Sequence, residues 1–264
     1  MVRAARVLRL DSIWAVDHFT SFWPRVLWNR DFAWMASGTP DAYFDYQVLV
    51  GHLARRAGRL QLAVGVTEPI RRHPVLLAQA FLTLAHLTKR APILGIGPGE
   101  RENTEPYGFD FSRPVGVLEE ALEVLRLCFG SDGPIDYAGE HFRLDGARLD
   151  LMPPPGRTPE IWIAAHGPRM LRLAGRYGDG WYPALPMTPE EYATKLGVIR
   201  DAAREDGRDP GTIVPGYQVV FVTAPTEAAA RTLLEAKPIR LLALLAPDDL
   251  WRRHGAVHPL GDGF

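Results

Sequence analysis

The segment EIWIAAHGPRMLRLAGRYGDGWYPAL, residues 160–185, contains two apolar runs separated by a helical pattern. Its first part, residues 160–167, is typical of a buried β-strand, and its last part, residues 180–185, predicts another. Residues 168–178 carry apolar side chains at helical spacing and end in glycine. A strand, a helix and a strand in this order predict two parallel strands joined by a helical crossover.

The same alternation continues on both sides of this unit. Further strands are predicted at residues 12–19, 60–69, 92–97 and 214–224. Helices are predicted at residues 44–58, 73–89, 113–129 and 188–210. A closed (β/α)8 barrel and an open doubly wound sheet both show this alternation. Polar residues that cluster after several strands favour the barrel, an α/β fold in which all these strand ends meet at one face.

The number of strands is lower than a barrel requires, because six are recognisable where eight are needed. We therefore expect a TIM barrel with elements missing at both ends, or a degenerate one. No linker divides the chain, so residues 1–264 are expected to form a single barrel domain. Residues 130–157 are rich in Gly, Pro and Asp, which predicts an inserted excursion with a small hairpin at residues 136–144.

Composition is that of an ordinary soluble protein, with 264 residues, 47% hydrophobic and 23% charged. The net charge is −1, and mixed charges along the chain predict neither a nucleic-acid partner nor a membrane-binding segment. The single cysteine, Cys128, lies in a helical pattern and excludes an intramolecular disulfide. The chain has no apolar run of transmembrane length and no signal peptide, so the cytoplasm is the expected compartment.

Polar and glycine residues follow four of the predicted strands. Asp17 and His18 end the first, and a histidine beside a carboxylate can transfer protons near neutral pH. Glycines at 95, 97 and 99 lie in and just after the end of the 92–97 run, and their spacing differs from the dinucleotide fingerprint. They would let backbone N–H groups approach a ligand closely, with Glu100 and Asn103 on the same rim. A tight turn with solvated charges after it is the alternative explanation.

Two further segments carry candidate binding residues. Small residues 164 and 165 precede His166 and Gly167, and a helix begins at once, which is typical of an anion-binding turn. The loop after His18 contains large aromatic residues outside any strand or helix period, and they suggest an apolar wall: Phe22, Trp23, Trp28 and Trp34. The sequence contains no metal-binding spacing and no nucleophile motif. This combination favours an organic redox cofactor.

Four separated motifs resemble the bacterial-luciferase-like flavin and deazaflavin oxidoreductases. They are DSIWAVDHF, GVTEP with HPVLLAQAFLTLAHLT, LGIGPGERENTEPYG, and IWIAAHGPRMLRLAGRYGDGWYP, which occur in the family's order over residues 4–224. Within the family, the chain is most similar to the branch that uses coenzyme F420, near the phthiodiolone ketoreductase and methylene-tetrahydromethanopterin reductase relatives. The resemblance implies a (β/α)8 barrel, usually a homodimer, that binds F420 at the carboxyl ends of its strands.

The resemblance also implies roles for individual residues. Catalytic roles fall on His18 and Glu100, and Phe22 and Trp23 are implied in the substrate pocket. The implied cofactor-binding residues are Asp17, Gly65, Val66, Thr67, Gly97, Pro98, Gly99, Asn103, Ala165, His166 and Gly167. Residues 65 and 66 match a bulge that often contains a non-prolyl cis peptide. In the sugar-phosphate dehydrogenase branch a tryptophan lies four residues after the histidine, whereas this chain has Phe22 there.

The implied reaction is hydride transfer between the deazaflavin and a carbonyl, alcohol or related small organic substrate. No metal is expected. Three alternatives remain open from the sequence: an FMN-dependent monooxygenase of the same superfamily, a cofactor-binding protein without catalysis, and a nicotinamide-dependent enzyme with an open sheet. The glycine spacing disfavours the last of these.

Overall fold

The computed structural model describes residues 2–21, 25, 28–29, 38–219, 221–236, 239, 248–253 and 255–258. It divides into two compact units, residues 1–18 with 43–218, and residues 19–42 with 219–264. The first unit contains all eight described strands: β1 (Ser12–Ala15), β2 (Gln61–Thr67), β3 (Ile93–Ile96), β4 (Ile135–Ala138), β5 (Arg143–Ala147), β6 (Glu160–Ile163), β7 (Gly180–Trp181) and β8 (Val214–Pro215). Six of its helices are α1 (Val2–Val7), α2 (Tyr46–Ala57), α3 (Pro74–Leu87), α4 (Pro114–Gly130), α5 (Pro168–Tyr177) and α6 (Pro189–Glu205).

Six strands form one parallel sheet in the order β1-β2-β3-β6-β7-β8. This order follows the chain without reversing, whereas a doubly wound sheet reverses its direction at a switch point. The barrel-type prediction is therefore confirmed, with six parallel strands in the described residues where a closed barrel has eight. The antiparallel pair β4 and β5 interrupts the sequence between β3 and β6, which confirms the predicted hairpin. The assignment of residues 1–264 to one domain stays a prediction.

Helices cover the sheet because their apolar faces need burial, and their ends are set by local capping. Thr188 and Glu191 form the capping box that opens α6, with the threonine hydroxyl accepting from the Glu191 backbone N–H at 3.2 Å. Proline occupies the first turn of α3, α4, α5 and α6, where its missing N–H costs no hydrogen bond. Strand β3 is buried along its whole length, as expected for a parallel strand covered on both faces.

Large aromatic side chains pack against glycines inside the sheet. Trp14 lies edge-on to Trp162 at 5.3 Å between ring centroids and stacks on Tyr182 at 4.9 Å. A Cβ atom on Gly65 would lie 2.8 Å from the Trp14 ring. One on Gly180 would overlap the Trp162 ring. Four strands, β1, β2, β6 and β7, therefore contribute aromatic or glycine residues to this layer. We call it the aromatic floor and define it by Trp14, Trp162 and Tyr182.

The Gly95→Ala variant is expected to lower the free energy of unfolding by about 1–3 kcal/mol, because its Cβ would overlap the backbone carbonyl of Val64 on the neighbouring strand. Gly197→Ala is the matched control. Gly197 lies within α6 with no heavy atom within 4 Å of the added methyl, so alanine should stabilise the chain by about 0.5–1 kcal/mol. Urea unfolding measures both changes. Equal effects of the two variants would contradict this account of the interior packing.

The second unit contains the helices α7 (Glu227–Leu234) and α8 (Asp248–Arg253). Within it, the Asp41 carboxylate accepts a hydrogen bond of 2.9 Å from the Ser21 backbone N–H and pairs with Arg25 at 2.8 Å. Backbone donation lowers the pKa of Asp41, and the Arg25 charge adds to this effect. None of the helices in the described part of the chain has the length and apolar character needed to span a membrane.

Candidate active site

A cavity of about 270 Å³ lies at the carboxyl ends of the parallel strands in the first unit. Its walls come from the loops that follow β1, β2, β3, β6 and β7, as expected for the site-bearing face of a barrel. The lining residues are Asp17, His18, Val66, Thr67, Glu68, Arg71, Gly97, Pro98, Gly99, Glu100, Asn103, Ala164, His166, Gly167, Met170 and Ala184. The lining runs from Asp17 to Ala184, so segments up to 167 residues apart in the chain share one pocket.

Of the catalytic and cofactor-binding residues implied by the resemblance, all but two line this cavity. Gly65 lies below it, against Trp14 and Tyr182 of the aromatic floor. Ala165 is buried in the core, and its carbonyl accepts a 2.9 Å hydrogen bond from the Trp181 indole. Phe22 and Trp23, the implied substrate-pocket residues, are outside the described residues.

One rim of the cavity contains a cluster of three polar side chains, His18, Glu100 and Asn103. The Asn103 amide nitrogen donates to Glu100 Oε2 at 2.9 Å and lies 3.4 Å from His18 Nδ1. His18 Nε2 lies 3.6 Å from the same carboxylate oxygen. In the neutral ring, an amide N–H that points at Nδ1 makes that atom the acceptor and leaves the ring proton on Nε2, whereas the protonated ring carries a proton on both nitrogens. The cluster therefore presents an imidazole N–H and a carboxylate to the pocket.

Asp17 belongs to a buried network of charges below this rim. Its carboxylate accepts from the Thr67 hydroxyl at 2.7 Å and pairs with Arg71 at 3.2 Å and Arg72 at 2.6 Å. Arg71 also pairs with Glu68 and donates to the backbone carbonyl of Asp17 at 3.0 Å. The side chains of Asp17, Glu68 and Arg71 are at most 4% exposed. The network fixes the end of β1 to the turn after β2 and so sets the position of His18.

Arg72 extends this network toward solvent. It contacts Asp45 at 2.9 Å, and its guanidinium lies over the Tyr46 ring at 4.9 Å. Burial opposes the charge of Arg72, but Asp17, Tyr46 and Asp45 together outweigh it and raise the Arg72 pKa. By contrast, burial raises the pKa of the Tyr46 hydroxyl, which therefore stays protonated.

The glycine-rich loop after β3 forms a smooth wall of the cavity. A Cβ atom on Gly97 would lie 3.3 Å from Val66 Cγ2 and 3.4 Å from the Ala164 methyl, so a side chain there would narrow the space between these residues. Gly99 has a φ of +86°, which favours glycine, and its missing Cβ leaves room for Glu68. The Gly65–Val66 peptide is cis, which confirms the feature implied by the resemblance.

The turn between β6 and α5 closes the opposite side. Gly167 is the N-cap residue of α5 and uses no side chain to satisfy the first backbone N–H groups of that helix. His166 Nε2 accepts a 3.1 Å hydrogen bond from the Ala184 backbone, and Lys195 Nζ donates to the His166 carbonyl at 3.2 Å. Burial lowers the pKa of His166, and the Lys195 charge lowers it further. The turn thus combines a neutral imidazole, a helix N-terminus and an ammonium group.

Sequence reasoning missed three charged residues of this region. Glu68 follows β2 as part of GVTEP. Arg71 is one of two adjacent arginines, a pattern that normally indicates an exposed surface. Lys195 lies in α6, 29 residues after His166, and only the packing of α6 on α5 brings them together. Among the residues that the structure describes, no group of three or more His, Cys, Asp or Glu side chains could hold a metal ion.

A parallel strand-and-helix fold with a polar pocket at the strand ends defines an α/β protein of the TIM-barrel class. The chain belongs to the luciferase-like monooxygenase family, whose model matches residues 1–261. Both the fold and the family expected from the sequence are therefore confirmed.

Named relatives within this family are oxidoreductases. The chain is 45% identical over 261 residues to a phthiodiolone/phenolphthiodiolone dimycocerosates ketoreductase of Mycobacterium sp. (strain JLS), covering 97% of this chain and 69% of the relative. It is 33% identical to an F420-dependent hydroxymycolic acid dehydrogenase of Mycobacterium tuberculosis, covering 87% of this chain and 59% of the relative. A solved F420-dependent secondary alcohol dehydrogenase, in complex with an F420-acetone adduct, is similar in fold with a TM-score of 0.73 at 23% identity, covering 93% of this chain and 76% of that one.

Proposed function

We propose that this protein is a coenzyme F420-dependent oxidoreductase that transfers a hydride between the deazaflavin and the carbonyl or alcohol carbon of a small organic substrate. The observation that carries the proposal is the cluster of His18, Glu100 and Asn103 at the rim of the strand-end cavity. Ketone reduction needs a proton donor for the developing alkoxide, and this cluster supplies an imidazole N–H beside a carboxylate. Relatives named as a ketoreductase and as an F420-dependent dehydrogenase support the choice.

The residues present fit a planar cofactor with an anionic tail. The bare backbone at Gly97 keeps open the space beside Val66 and Ala164, which a Cβ would narrow. We assign the ring to this wall, and the phosphate of the tail to the turn at His166 and Gly167. The helix N-terminus and Lys195 provide positive potential at that turn, and the neutral state of His166 leaves its hydrogen bond to Ala184 intact.

When bound, F420 supplies or accepts a hydride at C5 of its ring. The chain's own contribution is to position groups and to move a proton. In the reduction direction the protonated His18 ring would give its Nε2 proton to the substrate oxygen and become neutral, the Glu100 carboxylate 3.6 Å away would stabilise the charged ring, and water would return a proton to His18 for the next turnover. The Asn103 amide nitrogen contacts both the imidazole and the carboxylate and holds them in position relative to each other. Asp17 acts as a positioning residue, because its carboxylate is occupied by Thr67, Arg71 and Arg72.

Fluorescence titration with F420 and with FMN, followed by an anaerobic screen of ketones and alcohols, tests the proposal. We expect F420 to bind more tightly than FMN and to change redox state with a substrate of the screen. Tight binding of FMN without F420 binding would favour the monooxygenase alternative. Binding of F420 without turnover of any substrate would favour a cofactor-binding protein.

A variant of Lys195 separates tail binding from ring binding. Lys195→Ala should weaken F420 several-fold and leave the affinity for a deazaflavin that lacks the phosphate unchanged, because Lys195 lies at the turn assigned to the phosphate. Arg204→Ala on the exposed surface of the same helix is the control and should change neither affinity. An equal loss for both ligands would place the phosphate elsewhere.

Two further expectations belong to the same proposal. A homodimer is supported by a groove of about 400 Å³ between α2 and α3, whose lining is mainly apolar and includes Val50, Leu76, Phe81 and Leu87. Light scattering during size-exclusion chromatography measures the mass in solution.

A cytoplasmic location is expected as well, and cell fractionation tests it.

A further inference from the structure

A large groove at the other end of the sheet is basic. It has a volume of about 1050 Å³ and contains six cationic residues, Arg3, Arg6, Arg55, Arg56, Arg59 and Lys89. All six are exposed, and the described residues that line the groove include no acidic residue. Within the described residues none of the six forms an ion pair, and the acidic Asp11 near this edge pairs with Arg90 at 3.9 Å.

The groove forms where the ends of three elements meet. Arg3 and Arg6 lie on α1, Arg55 and Arg56 lie in the last turn of α2, and Lys89 follows α3. The Arg6 guanidinium group crosses the end of α2, since a Cβ on Gly58 would lie 3.5 Å from Arg6 Nε. The cations come from short, separate stretches of sequence, residues 3–6, residues 55–59 and Lys89, and the chain has no long basic run that would predict this surface. Folding brings the three segments together.

Exposed aliphatic side chains lie on the same edge. Val7 and Leu8, at the end of α1, are 74% and 69% exposed, and Leu10 is also exposed. No aromatic side chain is among the described residues that line the groove, whereas surfaces that bind single-stranded nucleic acid interleave cations with stacking aromatics. Arginines beside exposed aliphatic side chains are complementary to a surface with negative charge above an apolar layer.

We propose that this groove, with Val7 and Leu8, is a docking surface for an anionic phospholipid membrane. Helices α2 and α3 end here and lead into the amino ends of β2 and β3, while the candidate active site lies at the carboxyl ends of the same strands. A chain docked through the groove therefore keeps its pocket mouth away from the lipid surface. The docking surface is independent of the proposed reaction, and its test does not require turnover.

Sedimentation of the full chain with lipid vesicles tests the proposal. We expect binding to vesicles that contain phosphatidylglycerol and phosphatidylcholine, little binding to phosphatidylcholine alone, and release as the salt concentration rises well above ~0.1 M. The triple variant Arg3→Glu, Arg6→Glu, Arg56→Glu should lower the partition coefficient at least about tenfold. The control is Arg143→Glu, Arg148→Glu, Arg204→Glu, which makes the same change in net charge at exposed positions outside the groove and should retain most of the binding.

A second pair of variants tests the apolar part without a change of charge. Val7→Ser with Leu8→Ser should weaken vesicle binding several-fold, and unfolding midpoints measured for every variant show that each is folded. Equal binding to both kinds of vesicle, equal losses in the two triple variants, or binding of an oligonucleotide through the groove without vesicle binding would each overturn the proposal.

Discussion

Replacing Arg71 by methionine is expected to lower the free energy of unfolding by about 3–5 kcal/mol. The Arg71 side chain is 3% exposed and lies between two carboxylates, Asp17 and Glu68, that are each 4% exposed. Methionine removes the positive charge and leaves two buried negative charges without their shared partner. Chemical denaturation of the variant and the parent at neutral pH measures the loss.

Two comparisons show whether burial causes this loss. Arg113→Met removes an ion pair with Glu140 in which both side chains are 64% exposed, and should change stability by at most about 1 kcal/mol. Adding Asp17→Asn to Arg71→Met should recover part of the loss, because only one of the two buried carboxylates then stays charged. An Arg71→Met variant as stable as the parent would show that the carboxylates do not depend on the guanidinium group.

The fold was predictable because its signals are local. Apolar runs, helical spacing, prolines in first turns and the capping box at Thr188 are all read within a few residues, and the six parallel strands occur where the sequence predicts them. The predicted strands were too long at their carboxyl ends. The run at residues 12–19 contains β1 only as far as Ala15, because the residues after it leave the sheet to reach the pocket.

Parts of the site and surface were not predictable, because they depend on contacts between distant segments. Arg71 becomes a site residue only when the turn after β2 packs against the end of β1, 54 residues away. Lys195 reaches the turn at His166 only because α6 packs against α5. The basic groove forms only where α1 and the ends of α2 and α3 meet. Gly95 shows the opposite case. The sequence suggested that its backbone serves a ligand, whereas the structure explains its missing side chain by the approach of the Val64 carbonyl.

The largest effect on activity is expected from His18→Ala and from Glu100→Gln, each of which should lower turnover by about 10²- to 10⁴-fold. Both side chains line the cavity, and His18 Nε2 lies 3.6 Å from Glu100 Oε2. Cofactor affinity should stay within a few-fold of the parent, because proton transfer and cofactor binding use different residues. Steady-state kinetics and fluorescence titration of the same preparations measure the two quantities separately.

A change of substrate separates proton transfer from a general disturbance of the pocket. A trifluoromethyl ketone gives a less basic alkoxide than the corresponding methyl ketone and depends less on a proton donor. The loss caused by His18→Ala should therefore be smaller with the fluorinated substrate, whereas a displaced cofactor or a collapsed pocket would slow both substrates by the same factor. Asn103→Ala should show the same pattern to a smaller degree, since the amide only orients the imidazole and carboxylate. Equal losses on both ketones in all three variants would exclude the cluster as the proton donor.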